Sequence, residues 1–504
     1  MQRITDLPFI VILMGIGSLA MFVPAGHAFA LHDHAEARAF VYSGVGFLMI
    51  TLLIAVATVA NRTANPARSH LLTLFAAFTV LPLMLAVPFR EAVPDTTLFN
   101  AWWEMVSSLT TTGATLFDPA RLPPSVHLWR ALVGWMGGYF VLVTAAAILA
   151  PMNLGGFEVL SGAAAGQGAV GMGEGARGVA ASERLWRYSR TLLPAYSGLT
   201  LALWIGLILA GDDALLAACH AMSTLATSGI SPVGGLGATS SGLWGEVVVF
   251  VFLIFALSRR LYPSGRALRN AVTLKGDPEL RMALLLTTGV PALLFLRHWV
   301  GALEIDEVQD VGAALRALWG TIFTVLSFLT TTGFESAAWS EARTWSGLAT
   351  PGLILAGLAV IGGGVATTAG GVKLLRVYAL FRHGEREIER LVHPSSIGGA
   401  GAEARRLRRQ GAQMAWIFFM LFALSIAVTM LALALTGLDF VASTTFAVAA
   451  LSTTGPLAGV AAETPLVWAE LGTAARAVVA AAMVLGRLET LAIIALLNPD
   501  FWRG

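Results

Sequence analysis

The chain has 504 residues, of which 56% are hydrophobic and 12% charged, and its formal net charge is +2. Soluble domains carry about 25% charged residues, so this composition belongs to the membrane class and gives no electrostatic reason to expect a nucleic-acid partner. A single cysteine, Cys219, excludes an internal disulfide, and no Cys/His spacing suggests a metal site.

Apolar runs of spanning length recur along the chain. In order they are Pro8 to Leu31, Phe40 to Ala60, Leu71 to Pro88, Leu128 to Ala150, Thr191 to Ala210, Leu243 to Leu257, Met282 to Phe295, Leu348 to Ile361, Met414 to Leu435 and Ala474 to Leu497. The first run has the outline of a cleavable signal, with Arg3 before it and Ala28-Phe29-Ala30 at its end. Phe9 to Leu31 is nevertheless long enough to cross, at about 20 residues per crossing, so ten crossings are expected, with both termini on one side. Basic residues concentrate in alternate loops: Arg184, Arg187 and Arg190, then Arg259 to Arg281, then Lys373 to Arg409. The opposite loops hold few (Arg38, Arg90, Arg121, Arg130, Arg297, Arg343) and are acidic, with Glu246 and Asp212 among their residues. The positive-inside rule makes the basic side, and both termini, cytoplasmic.

Between pairs of crossings lie shorter, half-polar segments that end in related text. They are Ser107-Ser108-Leu109-Thr110-Thr111-Thr112-Gly113, Ser223-Thr224-Leu225-Ala226-Thr227-Ser228-Gly229, Ser327-Phe328-Leu329-Thr330-Thr331-Thr332-Gly333 and Ala450-Leu451-Ser452-Thr453-Thr454-Gly455. The four glycines fall 116, 104 and 122 residues apart, which reads as four copies of one unit: crossing, short segment, glycine tract, crossing. A segment of about 15 residues is too short to cross. It can dip in as a re-entrant helix and return as extended backbone, and such backbone must be shielded by protein or line an aqueous path. Four tracts can surround one axis, where backbone carbonyls replace the water shell of a cation. Acidic residues at the expected helix starts (Asp95, Asp213, Asp310 and Asp439) favour helix N-termini. The negative C-terminal ends would then point at the tracts.

These tracts resemble those of the Trk, Ktr and HKT potassium transporter superfamily, most closely its TrkH branch. Further stretches carry the likeness: Trp135-Met136-Gly137-Gly138; Gly362 to Lys373 followed by Arg376 and Leu391-Val392-His393-Pro394; and Leu485-Gly486-Arg487-Leu488-Glu489. The resemblance covers almost the whole chain. It implies an all-α integral membrane fold of fourfold pseudo-symmetric helix–pore-helix–filter–helix repeats with two extra N-terminal transmembrane helices. The implied division is residues 1–66 for the leading pair, 67–182, 183–275 and 276–410 for repeats 1 to 3, and 411–504 for repeat 4. It implies gated potassium uptake across the bacterial inner membrane, not enzymatic catalysis, with no cofactor beyond potassium as substrate.

Residue by residue, the ion-binding filter would be Thr110, Thr111, Thr112 and Gly113; Ala226, Thr227, Ser228 and Gly229; Thr330, Thr331, Thr332 and Gly333; and Ser452, Thr453, Thr454 and Gly455. Gly362, Gly363, Gly364, Thr367, Thr368, Gly370, Gly371 and Lys373 would form an intramembrane gate loop within the third repeat, with Arg487 facing it. Lys373 and Arg376 would lie at its cytoplasmic edge. The implied partners are membrane lipid, a second copy in a homodimer, and a separate cytosolic nucleotide-binding regulatory subunit of TrkA-like type. Glycine in all four tracts matches potassium-preferring members, while Ala226-Thr227-Ser228 departs from the threonine triplets and leaves discrimination against sodium open.

Two other classes stay in view. A broken-helix secondary transporter would need paired inverted halves, and a sodium-permeable or ion-coupled symporter would share the same scaffold. An enzyme would need a cluster of acid, base or nucleophile in the apolar core, where the sequence points only to Arg487 and Glu489. The GxGxxG pattern at Gly166 to Gly171 follows no strand and is read as a loop.

Overall fold

The computed structural model describes residues 7–58, 66–151, 155–157, 159, 181–262, 276–302, 311–346, 352–393 and 409–488, and among these it is helical with no strand. The GxGxxG stretch, Asp310, Leu348 and Glu489 lie outside the described residues. Helices α1 (Phe9–Ala20) and α2 (Phe22–Ala30) follow one another around Met21 and pack on α3 (His34–Thr58). The small Gly44 lets the helices close up, since a Cβ there would meet Ser18 O at 3.3 Å and Met21 Cβ at 3.4 Å. Phe40 of α3 meets the ring of Trp129 and so ties this pair to the rest.

The remaining helices repeat one pattern. In repeat 1, α4 (Pro66–Thr79) and α5 (Leu81–Ala92) precede the short α6 (Leu98–Leu109), and α7 (Pro124–Thr144) leaves. Repeat 2 runs through α8 (Ala181–Ala210), the short α9 (Ala214–Ala226) and α10 (Gly242–Leu253). Repeat 3 has α11 (Pro278–Ala302), α12 (Val311–Leu329), α13 (Trp339–Ser346), α14 (Gly352–Ile361) and α15 (Leu374–Val392). Repeat 4 has α16 (Arg409–Ala434), the short α17 (Phe440–Leu451), the one-turn α18 (Leu457–Val460) and α19 (Thr473–Leu488). Helices α6 and α9 both pack on α7, and α17 packs on α19, so each short helix is walled in by longer ones.

Eight helical stretches among the described residues are long and apolar enough to cross a membrane. The expected crossing Leu243 to Leu257 is the helix Gly242–Ala256, while Leu348 to Ile361 is described from Gly352 onward and Ala474 to Leu497 only as far as Leu488. Helix α12 reaches 19 residues although it occupies the third re-entrant slot, where α6, α9 and α17 have 12, 13 and 12. Apolar length alone therefore does not separate a crossing from a re-entrant helix here. Position relative to the glycine tract does.

The acidic helix starts hold for two of the three described cases. Asp213 accepts from Leu215 N–H at 3.1 Å and Asp439 from Ala442 N–H at 3.3 Å, so both cap their helices. Asp95 does not: Thr97 caps α6 through Asn100 N–H at 3.2 Å, and Asp95 pairs instead with exposed Arg121. Several charges assigned to outer loops are interior. Arg130 lies on α7, buried, with its Nε 3.1 Å from the carboxylate of buried Glu104 on α6. Glu246 and Asp212 are buried too. Replacing Thr97 with Ala should cost about 1 kcal/mol of stability, the usual worth of an N-cap. Asp95→Ala should cost less than about 0.5 kcal/mol, as an exposed ion pair does. Thermal unfolding of the detergent-purified variants reads the difference.

Candidate functional site

Each short helix ends in the same backbone turn. Thr112, Ser228, Thr332 and Thr454 donate their N–H five residues back, to Ser107, Ser223, Ser327 and Ala449, at 2.9, 2.9, 2.9 and 2.8 Å. The preceding residues Thr111, Thr227, Thr331 and Thr453 donate three residues back, and all four take positive φ, between 51° and 58°. This is the Schellman arrangement that closes a helix C-terminus, usually with glycine in the left-handed position. Here a β-branched threonine holds it four times. Such residues resist positive φ, and a conformation of this kind costs about 1–3 kcal/mol. A repeated outlier in one equivalent position marks a geometry held in place by its surroundings.

The hydroxyls show why three tracts share a pattern and one departs. Thr110 and Thr112 hydroxyls meet at 2.8 Å, Thr330 and Thr332 at 3.1 Å, and Ser452 and Thr454 at 3.2 Å. Ala226 supplies no hydroxyl, and Ser228 bonds Ser223 instead, at 3.1 Å. The tract side chains from Thr110 to Thr112, Thr330 to Thr332 and Ser452 to Thr454, with Thr227 and Ser228, are essentially fully buried.

The four tracts form a closed ring. A Cβ placed on Gly113 would lie 1.7 Å from Ser228 O of the second tract, and one on Gly229 would lie 2.3 Å from Thr332 O of the third. One on Gly333 would meet the Pro456 ring beside the fourth at 3.0 Å, and Gly455 of the fourth donates its N–H to Thr112 O of the first at 2.6 Å. The carbonyls before three of the glycines thus turn onto the glycine of a neighbouring tract, always in the same rotational sense. Any side chain at Gly113, Gly229 or Gly455 would occupy the space of a carbonyl.

The glycines of the flanking motifs serve the same packing. A Cβ on Gly137 would lie 2.0 Å from Leu109 O, and one on Gly486 would lie 2.2 Å from Leu451 O. Leu109 and Leu451 are the last residues of α6 and α17. Gly138 does the equivalent for the second tract, 2.9 Å from Ala226 Cα.

The stretch from Gly362 to Lys373 interrupts the helix between α14 and α15 and folds back on itself. Val372 and Lys373 donate N–H to Val360 O and Ile361 O, both at 2.8 Å, and Leu374 donates to Gly363 O at 2.9 Å. The loop touches the tracts directly: Gly370 N–H donates to the hydroxyl of Thr331 at 2.7 Å, and a Cβ on Gly370 would lie 2.2 Å from Ser452 O. Gly364 N–H donates to Ala256 O at 3.0 Å, past the end of α10. Within the loop, Thr367 bonds Gly364 O at 2.7 Å and the Lys373 ammonium donates to Ala369 O. Arg487 reaches it from α19, donating to Thr368 O at 2.6 Å. Lys373 and Arg376 are buried, and the Arg376 guanidinium lies 3.4 Å from the centre of the Phe418 ring.

Two acidic residues in this region escaped the sequence reading. Buried Glu279, at the start of α11, accepts from Val365 N–H of the loop at 2.7 Å, and neighbouring Asp277 accepts from Ser258 at 2.8 Å. Burial pushes the nearby Arg259 guanidinium below its ordinary value, although Glu279 and Asp277 oppose that. Glu246 likewise crosses between repeats, accepting from Ser336 at 2.7 Å, Ala337 N–H at 2.6 Å and Trp319 at 2.8 Å. The partners of Glu246 and Glu279 lie 73 to 91 positions away in the chain, so no local pattern could reveal them.

Residues 245–500 match the TrkH family, described as a cation transport protein. The Trk system potassium uptake protein TrkH of Salmonella typhimurium is 32% identical over 84% of this chain and 84% of its own length. The chain belongs to the TrkH family. Another relative of the same description, from Vibrio parahaemolyticus, is 29% identical over 98% of both chains. The crystal structure of the potassium transporter TrkH from Vibrio parahaemolyticus matches with a TM-score of 0.80 at 26% identity, covering 100% of both chains. The TrkH fold expected from the tracts is therefore the fold of this chain, a multi-pass membrane protein of a transport family rather than an enzyme. Because Gly137 and Gly486 admit helix ends at contact distance, Gly137→Ala and Gly486→Ala should each cost about 1–3 kcal/mol through overpacking. Gly357→Ala, with nothing within 4 Å, should not destabilise. Thermal unfolding in detergent compares the three.

Proposed function

We propose that this chain is the potassium-translocating subunit of a bacterial uptake system, with the four tracts as its selectivity filter. The observation that carries the reading is the closed ring in which carbonyls before the tract glycines turn onto neighbouring glycines. Carbonyls held in that way can replace the hydration shell of a dehydrated cation. The short helices aim their negative ends at the same place, which favours a cation there. The cation transport family and its potassium uptake relatives support potassium as the ion.

In this reading the loop from Gly362 to Gly371 is the gate and Arg487 an electrostatic barrier beside it. Contact between Gly370 and the third and fourth tracts supports the assignment, because a loop in that place blocks whatever leaves the ring. The transporter sits in the inner membrane with both termini cytoplasmic, pairs with a second copy, and takes a separate nucleotide-binding regulatory subunit of TrkA-like type. The domain limits 1–66, 67–182, 183–275, 276–410 and 411–504 follow from the same repeat. Potassium is cargo, and no further cofactor is invoked. Four like-oriented units argue against the paired inverted halves of a broken-helix transporter.

Gly333→Asp should abolish growth of a potassium-uptake-deficient strain at low potassium while the protein still reaches the membrane. Normal growth would remove the filter assignment. Arg487→Ala should raise basal rubidium flux into proteoliposomes about tenfold, since a unit charge a few ångströms from the path is worth more than about 1.4 kcal/mol at protein dielectric. Unchanged flux would remove the barrier role.

A further inference from the structure

One position on the short helices recurs without any role in the tract itself. It lies nine residues before the tract glycine and is occupied by Glu104, His220, Thr324 and Phe446 in repeats 1 to 4. The four side chains share no chemistry, so no motif marks them. All are buried, the first three completely.

Each nevertheless holds the limb that leaves its tract. Glu104 Oε1 accepts from Leu116 N–H at 2.5 Å and from the Thr115 hydroxyl at 3.0 Å. These are the third and second residues after Gly113. His220 Nε2 bonds the hydroxyl of Ser231, second after Gly229, at 2.8 Å. The Thr324 hydroxyl accepts from Ser336 N–H, third after Gly333, at 3.3 Å. Phe446 packs on Trp468 with ring centres 4.6 Å apart, and Trp468 donates its indole N–H to Gly455 O at 3.2 Å. His220 also meets the ring of Phe334, directly after Gly333, and so links the second and third tracts.

Geometry explains the recurrence. Five residues back up a helix from its last turn climb about 7.5 Å. Two to three extended residues past the glycine return about 7–10 Å. The chain reverses at the left-handed threonine, so the two heights coincide at this position in the first three repeats, while in the fourth Trp468 bridges from Phe446 to Gly455 O. The outgoing limb makes no regular ladder with its helix, and this contact ties it to the helix from which it came, beside bonds such as Ser107 to Ala114 O and Ser336 to Glu246.

Resting on the filter reading above, we propose that Glu104, His220, Thr324 and Phe446 are positioning residues for ion discrimination. Each braces the outgoing limb of its tract and so fixes how closely the carbonyl ring can contract. Contraction matters because a smaller ion is coordinated well only if the ring closes on it. Loosening a brace should therefore lower the preference for the larger ion and leave conduction in place. The neutral braces give the cleanest test, since removing Glu104 would strand the buried Arg130 charge.

Rubidium uptake into proteoliposomes, with potassium and sodium as competitors, reads the preference as a ratio. Thr324→Val keeps shape and removes the acceptor. With Ser231→Ala, it should lower the potassium-over-sodium ratio about fivefold to tenfold, the worth of one buried hydrogen bond. Thr324→Ser restores the hydroxyl and should restore the ratio. Monodispersity of each purified variant accompanies the assay, and Gly113→Ser is the reference. A shifted ratio in Gly113→Ser with unchanged ratios in both Thr324→Val and Ser231→Ala would overturn the brace. Loss in Thr324→Ser as great as in Thr324→Val would do the same. An unchanged ratio in Gly113→Ser would overturn the filter reading beneath it.

Discussion

Non-helical backbone inside a membrane protein has to find partners for its amide groups, and in this chain that requirement shapes everything around the four tracts. Lipid cannot supply a hydrogen bond, and an unsatisfied peptide group in hydrocarbon costs several kcal/mol. The tracts meet the requirement largely by folding N–H groups back onto the helix just left, as Thr112 does to Ser107 and Thr332 to Ser327, while Gly455 donates across to Thr112. That leaves the carbonyls of the tract to face the neighbouring copies. The result is a ring in which each of three tracts sets a carbonyl against the glycine of its neighbour.

The rest of the fold serves closeness at that ring. Gly137, Gly138 and Gly486 bring the long helices to the short-helix ends at distances that a methyl group would forbid. The left-handed threonines carry strain that glycine would have avoided, yet they add hydroxyls in the same place. At Thr331 that hydroxyl accepts from Gly370, so strain in the tract is coupled to the position of the loop beside it. The loop is in turn held by Arg487 at Thr368, by Glu279 at Val365 and by its own return to Val360 and Ile361. It therefore has discrete attachments on four sides.

Charge inside the fold is used to hold loops. Glu104 and Glu246 each accept from two or more groups of an outgoing limb, and both would be costly if left without partners. Arg130 balances Glu104, and Trp319 completes the set around Glu246. Placing Arg130 and Glu246 in outer loops, as the sequence reading does, misses this role.

Sequence alone determined the membrane class, the fourfold repeat and the identity of the tract residues. Each of these follows from local spacing and composition: hydropathy over a crossing, and glycine after a hydroxyl-rich triplet in a constant slot. The cap at Asp95 failed because Thr97, two residues on, competes for the same role, and only geometry chooses between them. The length of α12, 19 residues, would by itself suggest a crossing, and only its place before a glycine tract marks it otherwise. What tertiary structure alone decided is the pairing of the tracts into one ring, the contact of Gly370 with Thr331, and the burial of Glu104, Arg130, Glu246 and Glu279. These depend on partners from different repeats or from opposite strands of a reversal. Such contacts are set by how helices pack around a shared axis, which no short stretch of chain encodes.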